Sequence, residues 1–331
     1  MVINFNGQEV MGNSFGEAFK SLLETTYNDC EIIFVDNGST DASLRTAGSL
    51  SKGDSRVKFV ECKRNLGIAG AVKRAYSSVS PDSVYLGILN NDVVFEADWL
   101  VGLVEVLESN QDLACAYPLV FDNYTNKAFV GGTMDIMGFF HVINAEIDSF
   151  SSPALTKFGR TAYLGGTAMV IRKEDYERVG GLDDSFFLYY EEVDLAWRLL
   201  LSGKVNALVV SSKAHHLRGV TAARLSENAR SYFANKNRLV MTLKNHDLQY
   251  VVPTFVGSLI ITIGYYLLVR RDARKALTYI RACYASLERL PSIAASRGEI
   301  KRYRKLATRN LVSLGLISPL RLSTFQGHFD S

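Results

Sequence analysis

Cysteine is scarce in this 331-residue chain: Cys30, Cys62, Cys115 and Cys283 stand far apart and form no C-x-x-C pair. That excludes a disulfide framework and a cysteine zinc cluster, and it points to a reducing compartment. Equally absent are G-x-G-x-x-G, the Walker A loop, H-E-x-x-H and G-x-S-x-G. Dehydrogenase, P-loop kinase, zincin and serine hydrolase readings lose support, so a nucleotide here would be held by acids and a metal. No basic stretch leading into an apolar run is legible as a secretory signal, and the expectation is a cytoplasmic catalytic body.

What is present begins with 47% hydrophobic and 21% charged residues, the balance of a folded chain with a large core rather than a disordered one. Length suggests two domains, or one with an appendage. The net charge of +3 hides an asymmetry. Residues 1–243 carry 23 Lys and Arg against 29 Asp and Glu, whereas residues 244–331 carry 14 against 5. An acidic body bears a basic tail, and such tails meet anionic lipid or nucleic acid.

The first half alternates short apolar runs with stretches of helical period, the pattern of a parallel sheet covered by helices. Strands are expected at Met1–Asn4, Glu31–Asp36, Val57–Cys62, Val84–Leu89 and Ala114–Val120, with helices at Phe15–Thr25, Ala42–Ser49, Ile68–Ser77 and Asp98–Ser109. Asn123–Arg160 reads as strand-and-loop material. A strand follows at Met169–Arg172, then a helix from Glu191 to Ser202 and another from Ser226 to Asn245. The fold class is α/β: a Rossmann-like, mostly parallel sheet flanked by helices, with a helical, basic and hydrophobic C-terminal appendage. The expected divisions are residues 1–122, residues 123–246 and a tail of residues 247–331.

In that tail, Tyr250–Val269 carries no charge, and Arg270, Arg271, Arg274 and Lys275 follow. The length would allow a membrane span. The positive-inside rule would then put the body on the far side, away from a cytoplasmic substrate. An interfacial or re-entrant segment, or a contact in a homodimer, fits better; an ordinary basic helical appendage packed on the body is the alternative. Later helices at Ala276–Leu290 and Ile300–Leu311 mix Arg and Lys with Leu, Tyr and Ile, favouring an anionic membrane surface over nucleic acid.

Ligands of open parallel sheets sit outside the carboxyl ends of the strands. There the chain offers Asp36-Asn37-Gly38-Ser39-Thr40-Asp41 and Asn90-Asn91-Asp92. Asp36 can accept hydrogen bonds from a base or ribose, and Asp92 can hold a hard divalent cation; each alone also suits an Asx turn or helix cap. A third cluster, Glu191, Glu192 and Asp194, crowds three carboxylates, which raises the pKa of one of them as a general base requires. His216, after an apolar run, is a metal-ligand candidate.

Taken in order, Val2-Ile3-Asn4-Phe5-Asn6-Gly7, Val35 through Asp41, Asn65-Leu66-Gly67-Ile68-Ala69-Gly70, Leu89-Asn90-Asn91-Asp92, Gly180-Gly181-Leu182-Asp183 through Arg198, and His216 with Asn237-Arg238 closely resemble the family 2 glycosyltransferases of GT-A fold, in their rhamnosyltransferase-like branch. The resemblance implies that Asn4 and Asp36 contact base and ribose, with Arg64, Asn65, Asn90 and Asn91 near the nucleotide. It implies that Asp92 and His216 serve Mg²⁺ or Mn²⁺, that Gly165, Gly166, Thr167 and Asp183 border the sugar and acceptor, and that Glu192 is the base, with Glu191 or Asp194 as substitutes. The activity so implied is inverting transfer from a nucleotide diphospho-sugar to a glycan or lipid-linked glycan, at the inner face of the cell membrane. Two rivals stand beside it. A sugar-phosphate nucleotidyltransferase would need a basic, Gly-rich loop after strand one, where Asn6-Gly7-Gln8-Glu9 has no Lys or Arg. A catalytically inactive membrane-associated partner protein would have no need of Asp36, Asp92 and Glu192.

Overall fold

The computed structural model describes residues 1–122, 127–146, 158–161, 166–217 and 225–319. Apolar runs and helical periods alternate as strands and helices in the first half: β1 (Val2–Asn4), α1 (Gly7–Met11), α2 (Asn13–Leu23), β2 (Ile32–Asp36), α3 (Ser43–Leu50), β3 (Val57–Glu61), α4 (Gly67–Ala75), β4 (Tyr85–Asn90), β5 (Val93–Phe95), α5 (Trp99–Ser109) and β6 (Leu113–Asp122). Strands β4, β1, β2 and β3 lie side by side and parallel, with Val2 opposite both Phe34 and Leu89. Buried on both faces, β2 reads Ile-Ile-Phe-Val-Asp without alternation, as a central parallel strand should. One face packs on Ala69, Val72 and Ala75 of α4; the other packs on Phe15, Phe19 and Leu103 of α2 and α5.

The second half widens the sheet with strands that pair mostly antiparallel to their neighbours. These are β7 (Lys127–Asp135), β8 (Phe140–Glu146), β9 (Phe158–Thr161) and β10 (Ala168–Arg172). Next come α6 (Lys173–Arg178), α7 (Glu191–Leu201), β11 (Val205–His216) and α8 (Glu227–Asn245). Strand β10 inserts antiparallel between β4 and β6. Strand β11 runs parallel to β6 and carries His216 back to β5, opposite Val93. Within the expected strand-and-loop stretch, β7 and β8 form a hairpin closed through Asp135, whose Oδ1 accepts from the amides of Met137 and Phe139.

The tail comprises α9 (Leu248–Gly264), a π turn at Tyr265–Val269, α10 (Ala273–Leu287), α11 (Leu290–Tyr303), α12 (Thr308–Ser313) and β12 (Ile317–Ser318). Helices α11 and α12 pack on the body through a core that joins Ile293, Ile300 and Leu311 to Trp197, Leu200 and Met241. Strand β12 adds to β7. The single helix expected over Ile300–Leu311 is broken at 304–307. There Arg304 pairs with Asp247 at 2.6 Å, and the amides of Lys305 and Leu306 both donate to the carbonyl of Leu201. The Leu248–Val269 segment is long and apolar enough to cross a membrane by length and composition, with a mean hydropathy of 1.8. Little of it is buried: Leu248, Val252, Val256 and Ile260, four residues apart, form an exposed stripe that continues through Leu267 and Leu268.

Candidate active site

The carboxyl ends of β1, β2 and β4 are tied together by a chain of side-chain amides. Asn91 donates to Asn4 Oδ1 at 2.6 Å, and Asn4 Nδ2 donates to Asp36 Oδ1 and Ser39 Oγ, each at 3.1 Å. Asp36 Oδ2 accepts the amide of Ser39, and Asn37 spans to Asn65 and to the backbone of Leu66 and Gly67. Gly7 lets the turn close, because a Cβ there would fall 2.4 Å from Asn4 Oδ1 and 2.7 Å from Asn91 Nδ2.

Beyond this frame lies a cavity of about 440 Å³. Asn37, Asn65, Asn90, Asn91, Asp92, Gly166, Thr167, Glu191, Glu192 and His216 all line it. Its roof is Phe187, Leu188 and Tyr189. Gly67 holds φ at +74° and meets Phe187 backbone to backbone; a Cβ would lie 2.2 Å from the Phe187 carbonyl oxygen. A larger hollow of about 680 Å³ lies at the opposite ends of the strands. Of its lining groups, Lys58 pairs with Glu31, and Arg56 pairs with the neighbouring Asp54.

Asp92 Oδ2 lies 3.2 Å from His216 Nε2, and Asp92 Oδ1 is buried with no hydrogen-bond partner among the described residues. An orphaned carboxylate oxygen beside an imidazole fits a hard cation that takes its remaining ligands from a phosphate. Among the described residues no three His, Cys, Asp or Glu side chains converge, so Asp92 and His216 are the two such ligands the described residues bring together here.

Glu191 and Glu192 open α7 after two consecutive residues in the left-handed region, Tyr189 at φ 67° and Tyr190 at φ 71°. Such a turn is strained for large side chains. Asn237 of α8 holds it, donating to the carbonyls of Leu188 and Tyr189 at 2.8 Å each. Glu191 is buried, and burial followed by the charge of Glu192 raises its carboxyl well above the ordinary range. Glu192 is half-buried and rests on Gly166, where a Cβ would lie 3.0 Å from its Oε1.

Several expected site residues stand elsewhere. Asp194 is fully buried behind α7 and cannot serve as a base. Its Oδ2 meets Arg198 at 2.8 Å and Lys244 at 2.9 Å, while Oδ1 accepts from Asn245. Asp183 is also turned away from the cavity and paired with Lys244 at 2.6 Å. Burial pushes its carboxyl up, but the Lys244 charge outweighs that and holds it well below the ordinary range. Asn4 and Asp36 sit behind the cavity wall with their polar atoms engaged by neighbours, so they brace the lining rather than face the cavity. Arg64 is exposed, with its backbone against Gly38. Gly165 lies outside the described residues. The lining also includes Asn37, Phe187 and Tyr189, to which the sequence alone assigns no role. Asn37 follows Asp36 directly at the strand end, and that position is the signal that could have found it.

The profile described as Glycosyl transferase family 2 matches residues 2–180. An N-acetylglucosaminyl-diphospho-decaprenol L-rhamnosyltransferase of Mycobacterium tuberculosis is 23% identical over 77% of this chain and 89% of its own length. Rhamnosyltransferase WbbL of Escherichia coli is 28% identical over 44% of this chain and 57% of its own. Among solved structures, GalNAc-T7 with UDP, GalNAc and Mn²⁺ superposes with a TM-score of 0.64 at 12% identity, covering 94% of this chain and 56% of that one. This chain thus spans little more than half of that structure's length. A mannosyltransferase of Pyrobaculum calidifontis in complex with GDP-Man and Mn²⁺ superposes with a TM-score of 0.51 at 14% identity, covering 95% of this chain and 77% of that one.

Proposed function

The chain belongs to glycosyl transferase family 2, and from that premise we propose that it moves a hexose of the rhamnose class from a nucleotide diphospho-sugar to a hydroxyl of a lipid-linked glycan, with inversion. The observation that carries this reading is the convergence of Asp92, His216, Glu191 and Glu192 on one cavity at the carboxyl edge of the parallel strands. The mycobacterial relative is named for a diphospho-decaprenol substrate, and both structural neighbours hold a nucleotide and Mn²⁺.

In this reading the nucleotide lies along Asn37, Asn65, Asn90 and Asn91, whose orientation the buried Asn4 and Asp36 maintain. Asp92 and His216 would hold Mg²⁺ or Mn²⁺, whose charge would offset that of the leaving diphosphate. Burial raises the Glu191 carboxyl well above the ordinary range and favours its neutral form, so the base is assigned to the less buried Glu192. Glu192 takes the proton of the acceptor hydroxyl as it attacks the anomeric carbon on the face opposite the diphosphate. Thr167 and Gly166 border that attack path, and the absence of a side chain at Gly166 gives the Glu192 carboxylate its place. The exposed apolar stripe of α9, followed by Arg270, Arg271 and Arg274, supports attachment to an anionic cytoplasmic membrane surface.

The test is thermal stabilisation of the purified chain by a panel of nucleotide diphospho-sugars, with Mg²⁺, Mn²⁺ or chelator, in wild type and Asp92→Ala. Metal-dependent stabilisation by one donor, lost in Asp92→Ala, is expected. A melting point that no donor or nucleotide moves would favour the inactive partner protein instead.

A further inference from the structure

Phe186, Phe187, Tyr189 and Tyr190 crowd the turn that leads into Glu191 and Glu192. Phe186 is fully buried in the core with Trp197 and Met241, and Tyr190 packs against the same core. Phe187 rests on Phe233, with the ring centroids 5.5 Å apart. Tyr189 differs from all three. Among the described residues its side chain belongs to no apolar core, and no aromatic ring or hydrogen-bond partner meets it.

The backbone makes that isolation informative. At φ 67°, Tyr189 occupies the left-handed region that Gly and Asn enter readily and that a ring-bearing residue enters at a cost. Tyr190, at φ 71°, shares the strain but recovers stability from its packing in the core. For Tyr189 no contact among the described residues offsets the choice of a large side chain. What it lines is the catalytic cavity, together with Glu191 and Glu192, and a strained residue at such a place points to a use there.

Position narrows the ligand. Tyr189 precedes the two glutamates by two and three residues, so it borders the point where an acceptor hydroxyl would meet the anomeric carbon. A diphosphate separates the nucleobase from that point, which leaves the reacting sugars within reach. A pyranose presents an apolar face of C–H groups, and the negative face of an aromatic ring attracts their hydrogens. We propose that Tyr189 is a sugar-binding residue, its ring the platform on which a pyranose stacks beside Glu192. The assignment rests on the glycosyltransferase reading and deepens it by naming the group that holds a sugar ring. Donor sugar and acceptor sugar share this chemistry, and the test separates them.

The experiment compares wild type with Tyr189→Asn, which suits the left-handed backbone without a ring, and Tyr189→Phe, which keeps the ring without the hydroxyl. Binding of UDP-glucose, dTDP-rhamnose and GDP-mannose is measured by calorimetry with Mn²⁺, each against its own nucleoside diphosphate. Transfer is measured to N-acetylglucosaminyl-diphospho-decaprenol. Tyr189→Asn should melt no lower than wild type. With the donor sugar on the ring, it weakens the preferred donor ten-fold or more and leaves the nucleoside diphosphate unchanged. With the acceptor sugar there, donor binding is unchanged and the KM for the glycolipid rises ten-fold or more. Tyr189→Phe should follow wild type throughout. A Tyr189→Asn variant that changes neither quantity, melts several degrees lower, or weakens donor and nucleoside diphosphate alike would overturn the proposal, as would equal losses in Tyr189→Phe. Failure of the glycosyltransferase reading registers separately, in wild type alone, as the absence of binding by any donor or nucleoside diphosphate.

Discussion

Asn91, beside the expected metal ligand, donates to Asn4 Oδ1 at 2.6 Å and so couples the end of β4 to the end of β1. Both residues are buried. Asn4→Ala would leave the Asn91 amide without its acceptor, and Asn91→Ala would leave the Asn4 carbonyl without its donor, at roughly 1–3 kcal/mol each. The double variant should lose less than the sum, and denaturant unfolding of the four proteins measures the coupling. Strict additivity would mean that the two amides act independently.

Glu192→Gln should abolish transfer, by at least about 100-fold in kcat as expected for a lost general base, while the melting point stays within a degree or so of wild type. Glu191→Gln should keep much more activity, because glutamine resembles the protonated acid. A reversed ranking would move the base to Glu191.

The same pair makes a thermodynamic prediction. Because the Glu191 carboxyl is raised from 4.5, the folded state holds this proton more tightly than the unfolded chain. Its contribution is fully present below pH 4.5 and is lost as the pH rises through the folded value. Glu191→Gln should therefore flatten the fall in stability toward neutral pH, as read by urea unfolding at several pH values.

His246 acts in the opposite sense. Burial lowers its pKa to about 4, and its ring is fixed by the Ile136 carbonyl and Thr308 Oγ1 and set edge-on to Trp197 at 4.6 Å. The unfolded chain takes up the proton first, so stability is lost as the pH falls from 6.5 toward 4, by about 3 kcal/mol in all. In His246→Gln this slope should disappear, and its persistence would assign the acid sensitivity to another group.

Lys244→Met leaves Asp183 and Asp194 without the cation they share. Breaking a buried pair from one side costs about 3–5 kcal/mol, so this variant should melt far below wild type even though Lys244 lies outside the cavity. On the membrane side, Val252→Asp with Ile260→Asp should reduce binding to anionic phospholipid vesicles by roughly ten-fold or more, since each side chain would lose its share of apolar burial. Unchanged flotation with those vesicles would exclude the α9 stripe as the attachment surface.

The parallel strands and the acids at their ends are legible because apolar runs without alternation mark buried strands, and Asp36 and Asp92 fall where each run stops. Asp194 misleads for a reason internal to helices. Spacing puts it on the face of Glu191, but Lys244 and Asn245 approach that face from fifty residues away, and no local pattern records their arrival. The break at 304–307 is hidden for the same reason, since it is set by carbonyl acceptance at Leu201. Asn237 belongs to the segments that carry the family resemblance, yet its grip on the Tyr189 turn depends on backbone geometry that side-chain periodicity does not report.

The backbone contact of Gly67 with Phe187 also bears on the order of assembly. The two residues are about 120 positions apart, so closing the cavity requires a long loop to be drawn in after the local strand–helix units have formed. An emerging chain can complete its parallel strands while the roof is still unmade, and the turn carrying Glu191 waits further for Asn237. Catalytic competence is then tied to contacts between segments far apart in the chain rather than to any one local unit.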